Sequence, residues 1–408
     1  MITFMGFSQE NTIGKIDFLG TKKMNIDFIK NLIQTKSGGI LDSLTIKKDI
    51  QVLQRLNGIS KVNFSVIKTF DNLYSLSFTL IENFTIIPYF SASTTSGFGA
   101  YRVGLYEYNF LGKNNTIGGF YQFNEYNSGG INFSSPQFFN SKFGFEINIQ
   151  KLISKEPVYI NEAKSNYKYT NTSFEVLTIF QVNYQNQLKL GVVLFNEKYN
   201  YIDGAKFAEI SQNFDINKQL VKAEYSFDNV NFDFYLVNGF KSNLVFQYVV
   251  PNSNSQKKFL IGWNDFLYYK RLGSKGNWVS RLRLGLATNN NNPFAPFPVD
   301  NNLNIRGVGN IIDRGTGAII FNTEFRKTIL EEKRFVLQGN AFIDSGTWRN
   351  AGGDFSDFTS QKNIRVYPGL GIRFIHKTIF NAVFRLDYGY GITKDASNGF
   401  VFGIGQYF

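Results

Sequence analysis

From residue 84 to residue 408, apolar and polar positions alternate with a period of two. Phe384, Leu386, Tyr388, Tyr390 and Ile392 fall on one side of a segment, with Val383, Arg385, Asp387, Gly389 and Gly391 on the other. Ile364, Val366, Leu370, Ile372 and Phe374 alternate in the same way with Arg365, Tyr367, Gly369, Gly371 and Arg373. Successive side chains of a strand point to opposite faces, so each such segment reads as a strand with one apolar face and one polar or small face. About sixteen segments follow one another, at about 20 residues per segment and connection. That leaves room for the 9–11 residues or so that a tilted strand needs to cross a bilayer. The connections alternate in length toward the end of the chain: 330–333 and 376–378 are tight, 290–313 and 349–362 are long. A soluble sandwich has no reason for that asymmetry, whereas a membrane barrel has short turns at one end and long loops at the other. The pattern predicts a mainly β protein, a sixteen-stranded antiparallel transmembrane β-barrel over residues 84–408. Its first strand should run near 84–95. Its last should run near 400–408, with Phe400, Phe402, Ile404 and Phe408 outward.

Residues 10–83 follow another rhythm. Residues 13–20 make a short alternating strand ending in Gly. Ile26, Ile29, Leu32 and Ile33 recur at helical spacing within 25–35, and Leu44, Ile46, Ile50, Leu53 and Leu56 form a second apolar stripe. Asp42 or Ser43 can cap that second helix, and Asn57-Gly58 ends it. Two strands, 61–69 and 73–82, follow around a turn at Phe70-Asp71-Asn72. The order β-α-α-β-β predicts a small α+β domain ahead of the barrel. Residues 1–9 are apolar and read as the remainder of a secretory signal.

Composition sharpens this picture. The chain has 408 residues, 17% aromatic and 18% charged, with 37 Gly, 8 Pro and no Cys. Its mean hydropathy of −0.18 averages lipid-facing against lumen-facing positions. The net charge is +12, but Lys and Arg are scattered. No basic run with interleaved aromatics points to nucleic acid. A single His and no Cys leave almost no material for a His/Cys metal cluster or a His-based dyad. His376 reads as an ordinary turn residue. There is neither a nucleophile elbow nor a phosphate-binding loop. No catalytic residue, metal or cofactor is assigned, and the chain is not expected to be an enzyme.

The most distinctive stretch is 290–349. An Asn/Pro-rich loop ends in Ile305-Arg306-Gly307-Val308. It is followed by a strand carrying Asn322-Thr323-Glu324 and a second carrying Phe342-Ile343-Asp344-Ser345-Gly346. By period two, Glu324 and Asp344 lie on the polar faces of their strands. If the loop folds back, Arg306 can reach both, and Arg with carboxylates gives directional, forked pairing.

These motifs resemble the BamA/TamA superfamily of outer-membrane proteins, in which periplasmic POTRA domains precede a sixteen-stranded barrel. The segment 10–83, with Leu19-Gly20 before its first helix, resembles one POTRA domain. The terminal aromatic, Phe408, and the turns 109–113 and 225–229 resemble family features. The resemblance implies that the sixth extracellular loop lies inside the lumen, with Arg306 and Gly307 held near Glu324, Phe342 and Asp344. It also implies that Phe402, Ile404, Tyr407 and Phe408 form a C-terminal assembly signal. Val308 stands where the family carries an aromatic residue, and one POTRA-like unit stands where the general assembly factor has several.

The expected function is insertion or translocation of polypeptides at the bacterial outer membrane, with the N-terminal domain in the periplasm. Partners would be outer-membrane lipid, unfolded or nascent outer-membrane or secreted polypeptides, and accessory envelope proteins. A barrel hides every strand edge except where its first and last strands meet. Gly403 and Gly405 would weaken that seam. The alternative is a dedicated two-partner-type secretion pore or a passive channel.

Overall fold

The computed structural model describes residues 11–95, 98–160, 163–206, 211–233, 235–252, 256–291, 295–299, 304–308, 314–377, 383–394 and 396–405. The signal-like segment 1–9, Tyr407 and Phe408 lie outside the described residues.

The N-terminal unit comprises β1 (Thr12–Leu19), α1 (Ile26–Leu32), α2 (Ser43–Gln54), β2 (Ile59–Phe70) and β3 (Leu73–Glu82). Its sheet has the order β1-β3-β2, with β1 parallel and β2 antiparallel to β3. Ile29, Ile46 and Leu53 from the helices bury against Ile13, Leu76 and Phe78 from the sheet. Asp42 caps α2, accepting from the amides of Leu44 and Thr45 at 3.0 Å each. α1 stops at Leu32, short of the expected Thr35. The amides of Gln34 and Thr35 are taken at 2.8 Å each by the carboxylate of Asp49, so they are drawn off the helical path.

The next eleven strands are β4 (Ile86–Thr95), β5 (Phe98–Phe110), β6 (Asn115–Phe123), β7 (Asn127–Ser135), β8 (Phe143–Ile160), β9 (Ala163–Gln181), β10 (Asn186–Gly204), β11 (Asn213–Asp233), β12 (Leu236–Pro251), β13 (Phe259–Leu272) and β14 (Gly276–Ala287). A short ribbon, β15 (Phe297–Pro298) and β16 (Arg314–Gly315), lies within the following loop. β17 (Gly317–Glu331), β18 (Phe335–Arg349), β19 (Ile364–His376), β20 (Val383–Tyr390) and β21 (Asn398–Ile404) complete the wall. All but the ribbon form one closed antiparallel barrel of sixteen strands, with β21 paired to β4. No helix of the described residues is long and apolar enough to cross a membrane. The long connection after β18 holds two 3-10 turns, 355–359 and 361–363, which period-two reading could not show. The first is capped by Asp354, whose carboxylate accepts from the Ser356 amide at 2.7 Å. His376 ends β19 opposite Phe335.

The outer face of the wall is apolar at mid-height. Leu190, Val192 and Leu194 project outward from β10, and Leu370, Ile372 and Phe374 from β19. β8 to β11 run far past the ten or so residues a bilayer requires, and the outward face of β10 changes character after Leu194. Asn196 bonds Asp215 at 2.7 Å, Lys198 pairs with Asp215 at 2.7 Å and Asn200 bonds Asn213 at 2.9 Å. Such polar ladders belong in water, so this quarter of the wall rises above the lipid. On the other side, the described residues of β20 number 8 and those of β21 number 7.

The N-terminal unit seats against the barrel's short turns. The Asn25 amide donates to Gly112 O at 3.0 Å and the Asn57 amide to Asn114 Oδ1 at 3.0 Å. Gly112 sits at φ +70, and a Cβ there would lie 2.2 Å from the Lys23 carbonyl oxygen. Arg55 reaches further round the rim, donating to Tyr184 O in the turn after β9 at 2.7 Å and to Asp228 O of β11 at 3.0 Å.

Candidate functional site: a lumenal arginine knot and the barrel seam

The loop between β14 and β17 turns into the lumen, and its residues 304–308 are all buried. Arg306 has no solvent-exposed surface. Its backbone amide donates to Asp344 Oδ2 at 3.0 Å. Nε and Nη2 make a forked pair to Asp344 at 2.8 and 3.0 Å. Nη1 donates to Glu324 Oε2 at 2.5 Å and lies 3.7 Å from Asp387 Oδ2. The guanidinium also lies 3.5 Å from the centroid of the Phe342 ring. Arg306, Gly307, Glu324, Phe342 and Asp344 are thus brought together in space.

Register explains how strands far apart in sequence share this spot. Asn322 stands opposite Asp344, and Glu324 opposite Phe342, across β17 and β18. Every second residue of each strand faces inward, so Asn322, Glu324, Arg326, Asn340, Phe342 and Asp344 form one buried polar patch. Beyond β18, β19 and β20 bring up further charge. Arg373 donates to Glu324 Oε1 at 2.5 Å, Arg326 Nε to the same oxygen at 2.5 Å, and Arg385 to Asp387 Oδ2 at 3.0 Å. Asn340 ties Asp387 Oδ1 to the group at 2.9 Å.

The alternating pattern had already placed Arg373, Arg385 and Asp387 on inward faces. It could not show that β19 and β20 abut β18 at the height of Glu324, so these partners were missed. Asn304 was missed too, because nothing marks it among the loop's asparagines. Its Oδ1 accepts from Arg281 at 2.9 Å and Arg283 at 3.3 Å, and its carbonyl accepts from Asn322 at 2.7 Å. Arg281 and Arg283 converge in turn on Asp265.

Glycines make the room. Gly307 sits at φ +91, and an added Cβ would lie 2.5 Å from Gly389 O. A Cβ on Gly389 would lie 2.2 Å from Arg306 O. The loop backbone and β20 are therefore in direct contact, which any larger residue at either place would break. Val308 is buried against Trp348 and Tyr367 rather than projecting a ring of its own. Ser397 closes the turn, donating to the carbonyls of Gly307 and Val308 at 3.3 and 2.9 Å.

The second feature is the seam. β21 and β4 share three register pairs among the described residues, 401 with 93, 402 with 92 and 403 with 91. β19–β20 and β20–β21 each show seven. Phe402 meets Phe90 edge to face across the seam at 5.6 Å, and Ile404 is the last residue of β21. Gly405 follows at φ +103, where the backbone leaves the extended region.

A model of the Omp85 superfamily domain matches residues 109–408. The chain belongs to the Omp85 superfamily. The match takes in the loop, the arginine knot and the barrel from the end of its second strand onward. This is an Omp85 barrel whose N-terminal unit lies ahead of the matched region. Similar solved structures include BamA from Haemophilus ducreyi lacking POTRA domains 1-3, at 16% identity and TM-score 0.58, covering 96% of this chain and 84% of that one. CdiB from Acinetobacter baumannii aligns at 12% identity and TM-score 0.62, covering 97% and 74%. CdiB from Escherichia coli aligns at 10% identity and TM-score 0.65, covering 98% and 77%. At these identities the likeness is one of fold. No curated protein matches the sequence. Among the described residues, no group of three or more His, Cys, Asp or Glu is placed to hold a metal ion.

Proposed function

We propose that this Omp85 barrel inserts polypeptides into, or moves them across, the bacterial outer membrane. On this reading residues 10–83 form a periplasmic POTRA-like domain, residues 84–408 the barrel, and residues 1–9 the end of a signal. Unfolded or nascent outer-membrane or secreted chains would be the clients. The arginine knot would hold the loop in the lumen, and Phe402, Ile404, Tyr407 and Phe408 would act as the assembly signal.

The observation that carries this reading is the seam. Every other wall pair among the described residues has at least seven register partners, while β21–β4 has three. Backbone groups left unpaired in lipid are costly, and where the seam parts a client strand would satisfy them by adding to the exposed edge. The test is a disulfide across the seam. The chain has no Cys, so Ser91→Cys with Gly403→Cys, register partners on facing strands, introduces a unique pair. The oxidised protein should keep its heat-modifiable barrel mobility and lose client insertion, and reduction should restore it. Normal client assembly by the locked barrel would rule out the seam mechanism and favour the dedicated secretion pore or passive channel.

A further inference from the structure

The outward face of β8 and β9 turns from apolar to cationic part-way along the strands. Ile149 and Phe174 are register partners, and both are exposed on the outer face. The N-terminal unit holds the turn after β9. Moving away from it, the next outward pair is Lys151 and Thr172, and two outward pairs further on Lys155 stands directly opposite Lys168.

Like charges facing each other across adjacent strands are destabilising, and their surroundings do little to cancel these. Lys155 Nζ lies 3.3 Å from Asp203 Oδ2 in a solvent-exposed pair, and such pairs are weak. Lys168 and Lys151 have no carboxylate partner among the described residues. The Lys168 ammonium instead lies 4.9 Å from the centroid of the Tyr126 ring, a contact that holds it in place without neutralising it. The neighbouring strands differ: Lys198 of β10 pairs with Asp215 of β11 at 2.7 Å. The uncompensated charge is therefore concentrated on β8 and β9, where the apolar face ends.

We propose that Lys151, Lys155 and Lys168 form a binding site for the phosphate-bearing headgroup of a lipid in the leaflet away from the N-terminal unit. A phosphate seated between Lys155 and Lys168 accepts from both ammoniums and turns their repulsion into a shared attraction. Lys151, about 13 Å from Lys155 along β8 at 3.3 Å per residue, meets the headgroup at its lower edge. The acyl chains of the same lipid lie against Ile149 and Phe174. Lysines at a membrane surface draw anionic lipid in this way. The site goes beyond the proposed function, because it requires the barrel to sit in a bilayer but requires neither a client nor the seam.

The test uses the full chain in phosphatidylcholine vesicles. The chain has no Cys, so Thr172→Cys, at an exposed outward position beside Lys151, carries a single fluorescent donor. Energy transfer is measured to a trace of chain-labelled phosphatidic acid or chain-labelled phosphatidylcholine. The phosphatidic acid should be enriched several-fold over phosphatidylcholine near the donor. Lys155→Gln with Lys168→Gln should bring the two probes close to parity. Lys270→Gln with Lys327→Gln, which removes two outward lysines near the short turns, should leave the preference intact. Heat-modifiable mobility reports a folded barrel in each case, and Lys168→Gln alone takes the place of the double change if that does not fold. Inorganic phosphate, exchanged for chloride at equal ionic strength, should not abolish the preference. Parity of the two probes in the parent would overturn the proposal, as would a preference that survives loss of Lys155 and Lys168 or falls equally with Lys270 and Lys327. Abolition by inorganic phosphate would overturn it too, by making the site one for free phosphate rather than for lipid.

Discussion

At the scale of single residues, the lumen sets a buried charge against the solvation it has lost. Taking ions out of water costs several kcal/mol each, and good geometry has to offset it. Arg306 reaches that geometry through its fork, which fits both oxygens of Asp344 while a third nitrogen serves Glu324. Arg306→Met should strand the carboxylates and lower barrel stability by about 3–5 kcal/mol, read as an earlier midpoint in urea unfolding from vesicles. Arg306→Lys should fall between, because one ammonium cannot span the same oxygens. An unchanged midpoint in Arg306→Met would remove Arg306 as the anchor. A different carboxylate, in the N-terminal unit, contributes its own response to acid. The Thr45 hydroxyl, followed by the amides of Leu44 and Thr45, holds Asp42 below the ordinary carboxylate range. A carboxyl lowered in the folded state contributes stability that is present above its unfolded value of about 3.9, and that contribution is lost as pH falls through the lower folded value. Asp42→Ala should thus reduce amide protection in α2 at neutral pH, measured by hydrogen–deuterium exchange. The difference from the parent should shrink in strong acid. An equal deficit at both pH values would mean that the cap is not ionic.

At the scale of elements, the wall was legible because period two has one physical cause, lipid on one side and lumen on the other. Phe384 and Leu386 point out while Arg385 and Asp387 point in, as the alternation alone required. The two helices of the N-terminal unit were legible from their apolar stripes and from Asp42. What local pattern could not carry was anything decided between strands. The end of α1 depends on Asp49, fourteen or more residues away. The polar ladders above Leu194 depend on which residue of β11 faces which of β10. The arginine knot was half legible: the loop arginine and two carboxylates have recognisable motifs, while Arg373, Arg385, Asp387 and Asn304 join only through register. The height of the wall was not legible at all, since a 19-residue strand and a 9-residue strand alternate alike. The C-terminal strand allows a separate prediction. Its outward residues Phe400, Phe402 and Ile404 precede Phe408 in sequence, and a recognition step reading that edge would need the ring. Phe408→Ser should therefore lower the amount of barrel in the outer membrane, with unfolded chain accumulating before insertion, as quantified by fractionation and immunoblot. Normal outer-membrane levels would mean that no recognition step reads the ring.

At the scale of the whole molecule, directional contacts join the N-terminal unit to the barrel. Asn25 and Asn57 fix the unit to the turn that holds Gly112 and Asn114. Arg55, at the end of α2, extends that hold to Tyr184 and Asp228, with its guanidinium 5.2 Å from the centroid of the Tyr184 ring. The turn after β5 and the turn after β9 are four strands apart on the rim, so the unit is pinned at two separated points and cannot swing about one. Removing Arg55 leaves only the Gly112 side and turns a two-point seat into a hinge. Arg55→Ala should therefore broaden the distance distribution between one spin label on α2 and another in the turn after β9, without altering barrel mobility on gels. Gly112→Ala should act at the other point and act harder, because the new methyl would meet the Lys23 carbonyl oxygen at 2.2 Å and the residue would keep a positive φ that L side chains disfavour. The double variant should release the unit altogether, giving a distribution broader than either single change. A narrow, unshifted distribution in Arg55→Ala would show that the Gly112 turn alone seats the domain, and that Arg55 serves the barrel turns rather than the joint.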